Sequence, residues 1–150
     1  MPTSDDGFIW SVDSIEPTYR DLKAALAAPQ LADIIDRDKV FLLGFSQGAL
    51  HAMLVGARHP NEFAGVVSIS PGGALADQLA VPKLNVAAGK SRLFFVHAKS
   101  EPHAPYVIIW RDAYQRAGWA FDSATHDGGH HFPESWDTMR PEVAKFLLSR

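Results

Sequence analysis

The chain has 150 residues, of which 47% are hydrophobic and 21% are charged, a balance that predicts one globular domain over residues 1–150. A formal net charge of −3 and the lack of a basic run argue against nucleic acid or another polyanion as a partner. There is no cysteine, which excludes disulfides, a catalytic thiolate and a cysteine-ligated zinc.

The first half of the chain predicts two helices and two strands. Residues 16–28 place apolar side chains on one helical face, with Pro17 in the first turn, and Pro29 should end this helix. Residues 40–43 are a short apolar run that enters a glycine, which is typical of a buried strand. The next two predicted elements are an alanine-rich helix, residues 47–58, and a β-branched strand, residues 65–69.

The second half continues the alternation after a sizeable insertion, residues 71–91, whose Leu75, Leu79 and Leu84 are candidates to cover part of a site. A last helix should begin at Pro133 or Glu134 and run to Leu148, with an interruption at Pro141 as one outcome. Between these lie a strand at residues 92–98, a helix at residues 106–117 and a weaker strand at residues 119–125.

Strands that alternate with helices predict an α/β fold, a parallel sheet of about four strands with helices on both faces. In such a sheet the residues that follow the carboxyl ends of the strands line the crevice where ligands bind. Four candidates follow predicted strands in this way: Ser46, Pro71, Glu101 and His130.

The run Gly44-Phe45-Ser46-Gln47-Gly48 matches the G-x-S-x-G pattern of a nucleophile elbow, with a strand before it and a helix after it. The serine must sit on a sharp turn, and a side chain at either glycine would crowd the strand and the helix. Ser46 is therefore the predicted nucleophile, and the backbone N–H of Gln47 a predicted oxyanion donor at the helix N-terminus. The alternative is a turn whose glycines serve packing alone.

A serine nucleophile needs a histidine to take its proton, and in this fold the order along the chain is serine, acid, histidine. His130 directly follows two glycines in the loop after the last strand and is the first choice, with His131 as the second. A rival hypothesis makes His126, Asp127, His130 and His131 a zinc site. We favour the base, because no catalytic-metal motif such as H-E-x-x-H is present.

The acid should follow the third predicted strand, where Glu101 lies in a tight turn. Its carboxylate would hold the tautomer of His130 and stabilise the imidazolium. Asp122 and Asp127 are competitors, but the first lies within a predicted strand and the second flanks the histidine too closely. A solvated loop glutamate is the alternative for Glu101.

Three stretches resemble the α/β-hydrolase superfamily, in particular its small carboxylesterase, phospholipase and thioesterase branch related to dienelactone hydrolases. Residues 38–48, DKVFLLGFSQG, resemble the G-F-S-Q-G elbow of that branch with its approach strand. Residues 97–106, HAKSEPHAPY, resemble its H-G-x-x-D-x-x-V-P-Y turn, with Glu101 at the aspartate position and Ala98 in place of the glycine. Residues 128–133, GGHHFP, resemble its G-G-H-x-x-P histidine loop.

The resemblance also implies missing parts. Members of this superfamily have seven or eight strands, about four of them ahead of the elbow strand, and an early H-G-x-G type loop that gives a second oxyanion donor. No such motif precedes Ser46 here, so we expect a fragment, a mispredicted start or a reduced relative that lacks the N-terminal strands. One missing donor would cost about 10²–10³ in turnover, and an open strand edge makes a homo-oligomer a further expectation.

The function implied by the resemblance is hydrolysis of a carboxylic ester or thioester, of a small-molecule substrate, without a cofactor. Phe45 and Phe132, with Trp136 as a third candidate, would line the substrate site, although aromatic side chains are more often core. The alternatives are a peptidase or lactone hydrolase on the same residues, and a non-catalytic or weakly active relative that acts as a binding module. The polar N-terminus, Met1–Asp6, is unlike a signal peptide and no apolar run could span a membrane, so a cytoplasmic protein without membrane contact is expected.

Overall fold

A computed structural model describes residues 14–72, 86, 88, 90–102 and 104–149. The described strands are β1 (Phe41–Phe45), β2 (Gly65–Ile69), β3 (Arg92–Ala98) and β4 (Ala120–His126). The described helices are α1 (Ile15–Leu26), α2 (Gln47–Arg58), α3 (Tyr106–Arg116) and α4 (Trp136–Leu148), with short 3₁₀ turns at Pro29–Leu31 and Arg37–Lys39. The leucines of the predicted insertion lie outside the described residues.

The four strands form one parallel sheet in the order β1-β2-β3-β4, as the alternation of elements predicts. Helix α2 connects β1 to β2, and α3 connects β3 to β4. Because all the strands run the same way, their carboxyl ends meet at one edge of the sheet, and the residues after β1, β3 and β4 are brought there together.

Apolar side chains fill both faces of the sheet, which confirms the predicted α/β class. One face packs against α1, α2 and α3, and its largest buried side chains are Trp110 and Tyr114. The Tyr114 hydroxyl donates a hydrogen bond of 2.8 Å to the carbonyl oxygen of Met53, which ties α3 to α2. The other face packs against α4 around Phe94, Val96 and Val143.

Two strand predictions and one helix prediction agree with the structure at both ends: α2, β2 and β3. Strand β1 starts one residue later than predicted and extends through Gly44 and Phe45, because pairing with β2 continues as far as Phe45 opposite Ile69. Helix α1 ends before Ala28, whose ψ of 131° is the extended backbone that a following proline favours. Strand β4 extends to His126, because that residue still pairs with Ala98 of β3.

The two last helices also differ from their predicted bounds. Helix α3 stops at Arg116, and Gly118 takes the left-handed backbone (φ 89°) that ends a helix readily. Helix α4 begins only at Trp136, whose N–H donates 3.1 Å to the Pro133 carbonyl in a preceding turn. An interruption at Pro141 does not occur: this proline lies inside the helix, where it removes a single backbone donor.

Strand β1 lies at an edge of the described sheet, and its Leu43 side chain is 54% exposed. The expected homo-oligomer would form at this open strand edge, and it stays a prediction. Among the described residues, no helix has both the length and the apolar character that crossing a bilayer requires.

Candidate active site

The elbow at Ser46 is the sharp turn that its glycines predict. Ser46 has φ 56° and ψ −125°, a backbone conformation that is strained for a residue with a side chain. A Cβ on Gly44 would overlap the backbone carbonyl of Gly48, so the strand and the helix approach as closely as they do only with glycine there. The Ser46 N–H donates 3.0 Å to the Ile69 carbonyl, which holds the turn against the end of β2.

His130 reaches the elbow from the loop after β4. Gly128 has φ 105°, which lets the chain turn back toward the sheet directly after the strand. The His130 Nε2 atom lies 2.7 Å from Ser46 Oγ, across 84 residues of sequence. At this distance a neutral imidazole can accept a hydrogen bond from the serine hydroxyl. A base needs this arrangement in order to take the proton of a serine.

Glu101 lies on the far side of the same imidazole. Its Oε1 is 2.8 Å from His130 Nδ1, and its Oε2 accepts an N–H of the Ala98 backbone at 3.2 Å. The Glu101 side chain is only 4% exposed, whereas that of His130 is 45% exposed. A buried carboxylate at Nδ1 fixes the ring with its proton on that nitrogen and leaves Nε2 free to accept from the serine.

The competitors for these roles lie elsewhere. The Asp122 carboxylate accepts the N–H of Ser123, and that of Asp127 pairs with Lys99 in solvent. His131 Nδ1 lies 2.9 Å from the carbonyl oxygen of Phe132. The structure therefore brings Ser46, His130 and Glu101 together and leaves the second-choice residues outside the hydrogen-bonded chain.

The rival zinc hypothesis has no geometry to support it. Both ring nitrogens of His130 face protein groups, Ser46 and Glu101. Within the described ranges no group of three or more histidine, aspartate or glutamate side chains is arranged to hold a metal ion.

Helix α2 begins directly after Ser46. Gln47 is the first residue of α2, and the Ser46 carbonyl accepts the N–H groups of Ala49 and Leu50 at 3.1 and 3.3 Å. The positive end of the helix dipole therefore lies beside the serine, where negative charge would develop during attack. The role of the Gln47 N–H as an oxyanion donor stays a prediction.

Comparison with known proteins agrees with this architecture. A family model described as serine aminopeptidase S33 matches residues 3–131, most of the chain. The chain belongs to this hydrolase family. It is thereby a member of the α/β-hydrolase superfamily, as the three sequence stretches imply.

Individual relatives are longer than this chain, and one of them matches only about half of it. The candidate esterase NocK of Nocardia uniformis subsp. tsuyamanensis is 33% identical over 73 residues, which are 48% of this chain and 20% of NocK. The Bacillus cereus carboxylesterase structure has a TM-score of 0.71 at 14% identity, over 93% of this chain and 65% of that one. Dipeptidyl peptidase 4 of Porphyromonas gingivalis has a TM-score of 0.66 at 16% identity, over 91% and 22%. These likenesses establish the fold, and the chain spans less than two thirds of each relative's length.

Aromatic side chains surround the S33-family site on one side. The ring of Phe45 stacks on His130 with centroids 5.4 Å apart, and Phe132 lies 6.0 Å from Phe45 and 5.4 Å from Trp136. We refer to Phe45, Phe132 and Trp136 as the aromatic shelf. Phe132 is 41% exposed, so the shelf presents apolar surface to solvent beside the histidine.

Sequence reasoning missed the part that Ser70 plays at the end of β2. Ser70 has φ 48°, and its buried hydroxyl has no hydrogen-bond partner among the described residues. Its N–H donates 2.7 Å to the Val96 carbonyl, and the Gly72 N–H donates 3.3 Å to the Ser46 carbonyl. This turn thus braces the elbow, and the only sequence signal for it is a Ser-Pro-Gly run typical of turns.

The His97 imidazole is an electrostatic neighbour of the Glu101 carboxylate. Burial lowers the pKa of His97, and the charge of Glu101 opposes this effect in part while His126 adds to it. Its ring packs edge-on against Phe95 at 5.7 Å. Of the His97 and His130 imidazoles, His130 is the one that is hydrogen-bonded to the Glu101 carboxylate.

Proposed function

We propose that this chain carries the catalytic centre of a serine hydrolase that cleaves carboxylic esters or thioesters through an acyl-enzyme on Ser46. A single observation carries the proposal: one continuous hydrogen-bonded chain links Ser46 to His130 and His130 to a buried Glu101. Proteins of unrelated folds use this arrangement of side chains to make a serine nucleophilic. The proposed activity is therefore inferred from the geometry of these three side chains and not from the fold.

Each residue has a defined part in the proposed reaction. Ser46 Oγ attacks the acyl carbonyl while its proton passes to His130 Nε2, and Glu101 stabilises the imidazolium that forms. The oxyanion is stabilised by the N–H of Gln47 and by the N-terminal end of α2. His130 then gives its proton to the leaving alcohol or thiol, and a water that His130 deprotonates releases the carboxylic acid from Ser46. No resident cofactor takes part in these steps.

The aromatic shelf supports a small substrate with an apolar group. An ester that is placed over Ser46 has Phe45 and Phe132 beside it, and apolar contact there would favour short or medium acyl chains over charged ones. The names of NocK and of the B. cereus protein, an esterase and a carboxylesterase, point to the same substrate class.

Hydrolysis of p-nitrophenyl acetate, butyrate and octanoate tests the proposal, with an acyl thioester as the fourth substrate. We expect turnover that Ser46→Ala reduces by about 10⁴-fold or more, because the nucleophile is lost. His131→Ala is the matched control, since this neighbouring histidine bonds to the Phe132 carbonyl and should leave turnover unchanged. Equal rates for the native chain and Ser46→Ala would contradict the proposal.

A peptidase is the second candidate, favoured by the family's description as serine aminopeptidase and by the fold likeness to a dipeptidyl peptidase. The same Ser46 chemistry would cleave an amide, with His130 protonating the leaving amine. Aminoacyl anilides and a lactone, assayed beside the esters, separate the two candidates and a lactone hydrolase. A folded native chain that turns over none of these would favour the non-catalytic binding module.

A further inference from the structure

Two loops carry the proposed base and acid, and along the chain α3 and β4 lie between them. The acid loop, residues 99–102, follows β3, and the histidine loop, residues 127–133, follows β4. Glu101 and His130 meet at 2.8 Å between these loops. Their alignment therefore depends on what holds one loop against the other.

The loops share a directed hydrogen bond beside this contact. Ser100 Oγ donates to the Gly128 carbonyl at 2.8 Å. Lys99 Nζ also lies 3.0 Å from Asp127 Oδ1, but these side chains are 68% and 93% exposed. Water and salt screen an ion pair between side chains so exposed, and two long side chains fix little direction. The Ser100 bond is exposed too, but it is short and is made to a backbone carbonyl, so it bears directly on the path of the histidine loop.

The accepting carbonyl lies where the histidine loop turns. Gly128 has φ 105°, and a Cβ there would overlap the imidazole of His131, so this turn requires a glycine. Its carbonyl fixes the direction of the chain two residues before His130. The His130 side chain is 45% exposed and stacks on Phe45, so its placement depends in part on the backbone of its loop.

On this geometry we propose that Ser100 is a positioning residue, whose hydroxyl holds the histidine loop so that His130 Nδ1 meets Glu101. The effect on turnover rests on the proposed function, and the structural part rests on the Ser100–Gly128 and His130–Glu101 hydrogen bonds. Ser100 does not contact Ser46 or the substrate. It acts through Gly128 on His130, in the way that outer hydrogen bonds orient a working side chain.

Three variants test it with p-nitrophenyl butyrate: Ser100→Ala, Ser100→Thr and Ser149→Ala. We expect Ser100→Ala to lower kcat by about tenfold with KM unchanged, the order of effect of one hydrogen bond that positions a base. Ser100→Thr keeps a hydroxyl and should restore most of the rate. Ser149→Ala is the matched control, because Ser149 Oγ also donates to a backbone carbonyl in solvent, at Phe146 at the end of α4.

A proton NMR measurement reads the same geometry without turnover. The native chain should show a downfield imidazole N–H resonance from the His130–Glu101 bond, which Glu101→Gln removes. Ser100→Ala should broaden it through exchange with water, whereas Ser100→Thr and Ser149→Ala should keep it. A native chain that shows this resonance but hydrolyses no substrate would contradict the proposed function and leave the positioning role of Ser100 intact. An unchanged resonance and rate in Ser100→Ala, or a loss that Ser100→Thr shares, would overturn the role of Ser100.

Discussion

Glu101 occupies a position where the resembling hydrolases have aspartate, and the structure makes use of its greater length. One carboxylate oxygen reaches His130 Nδ1 at 2.8 Å while the other accepts the Ala98 N–H at 3.2 Å. The side chain is buried, so it depends on these two partners to offset the loss of water. The glutamate therefore bridges its own loop and the histidine.

Two substitutions at Glu101 separate charge from reach. Glu101→Gln keeps the length but removes the charge that stabilises the imidazolium, and we expect ester turnover to fall by about 10⁴-fold. Glu101→Asp keeps the charge but draws the carboxylate back by about 1.5 Å, so the fall should be smaller, about 10²-fold. Steady-state kcat for p-nitrophenyl butyrate checks both values. Full activity in Glu101→Gln would contradict a role for this acid.

The residues of the candidate site could be predicted because their types and their positions after strands can be recognised in the sequence. Ser46, Glu101 and His130 each follow the carboxyl end of a strand, and a parallel sheet brings those ends together. The supporting contacts could not be predicted. The bond from Ser100 to Gly128 and the left-handed turn at Ser70 depend on how separate loops approach in space, which no local pattern encodes.

At the scale of elements, glycines set how closely strand, helix and loop can approach. A methyl group on Gly44 would overlap the Gly48 carbonyl, and one on Gly128 would overlap His131 in a backbone that already has positive φ. A methyl group on Gly129 would meet nothing within 4 Å. The steric cost of an alanine should therefore be high at Gly44 and Gly128 and low at Gly129.

We expect Gly44→Ala and Gly128→Ala each to lower the free energy of unfolding by about 1–3 kcal/mol, the usual cost of forcing extra volume into a packed site. Gly129→Ala should stay within about 0.5 kcal/mol of the native chain, like most surface substitutions. Urea denaturation of the three variants measures the differences. Equal stabilities for Gly44→Ala and Gly129→Ala would show that the close approach at the elbow is not as described.

Helix and strand types were predictable because the apolar period changes between them, but some of their ends were not. Strand β1 continues past Leu43 because its partner β2 offers further pairing, a contact between distant residues. Helix α4 passes through Pro141 because packing of Val143 on the sheet holds the helix together there. In both cases tertiary contacts override a local signal.

For the molecule as a whole, one buried histidine, His51, and one half-buried histidine, His97, link stability to pH. Burial lowers the pKa of His51 below its ordinary value of 6.5, against a smaller raising effect of the Ser14 backbone, and burial likewise lowers that of His97. On acidification the unfolded chain therefore takes up protons before the folded chain does. The stability is present in full above about pH 6.5 and falls as the pH drops below it, by at most about 1.4 kcal/mol per pH unit for each histidine.

Urea unfolding at pH 7.5, 6.5 and 5.5 tests this dependence, in a window above the range where carboxylates titrate. We expect the free energy of unfolding to be level from pH 7.5 to 6.5 and lower at pH 5.5. His51→Gln, whose side chain can still bond to Thr18, should flatten part of the fall. A stability that rises on acidification across this window would contradict the burial of these two imidazoles in neutral form.

Hydrolysis by this chain requires that Ser46 be activated by the imidazole that lies 2.7 Å from its hydroxyl. Reaction of the folded native chain with a fluorophosphonate, followed by peptide mapping in a mass spectrometer, measures that reactivity directly. We predict one covalent adduct, on Ser46, that forms far more slowly in His130→Ala. A folded native chain that stays unmodified, or that carries its adduct on another residue, would contradict the central claim.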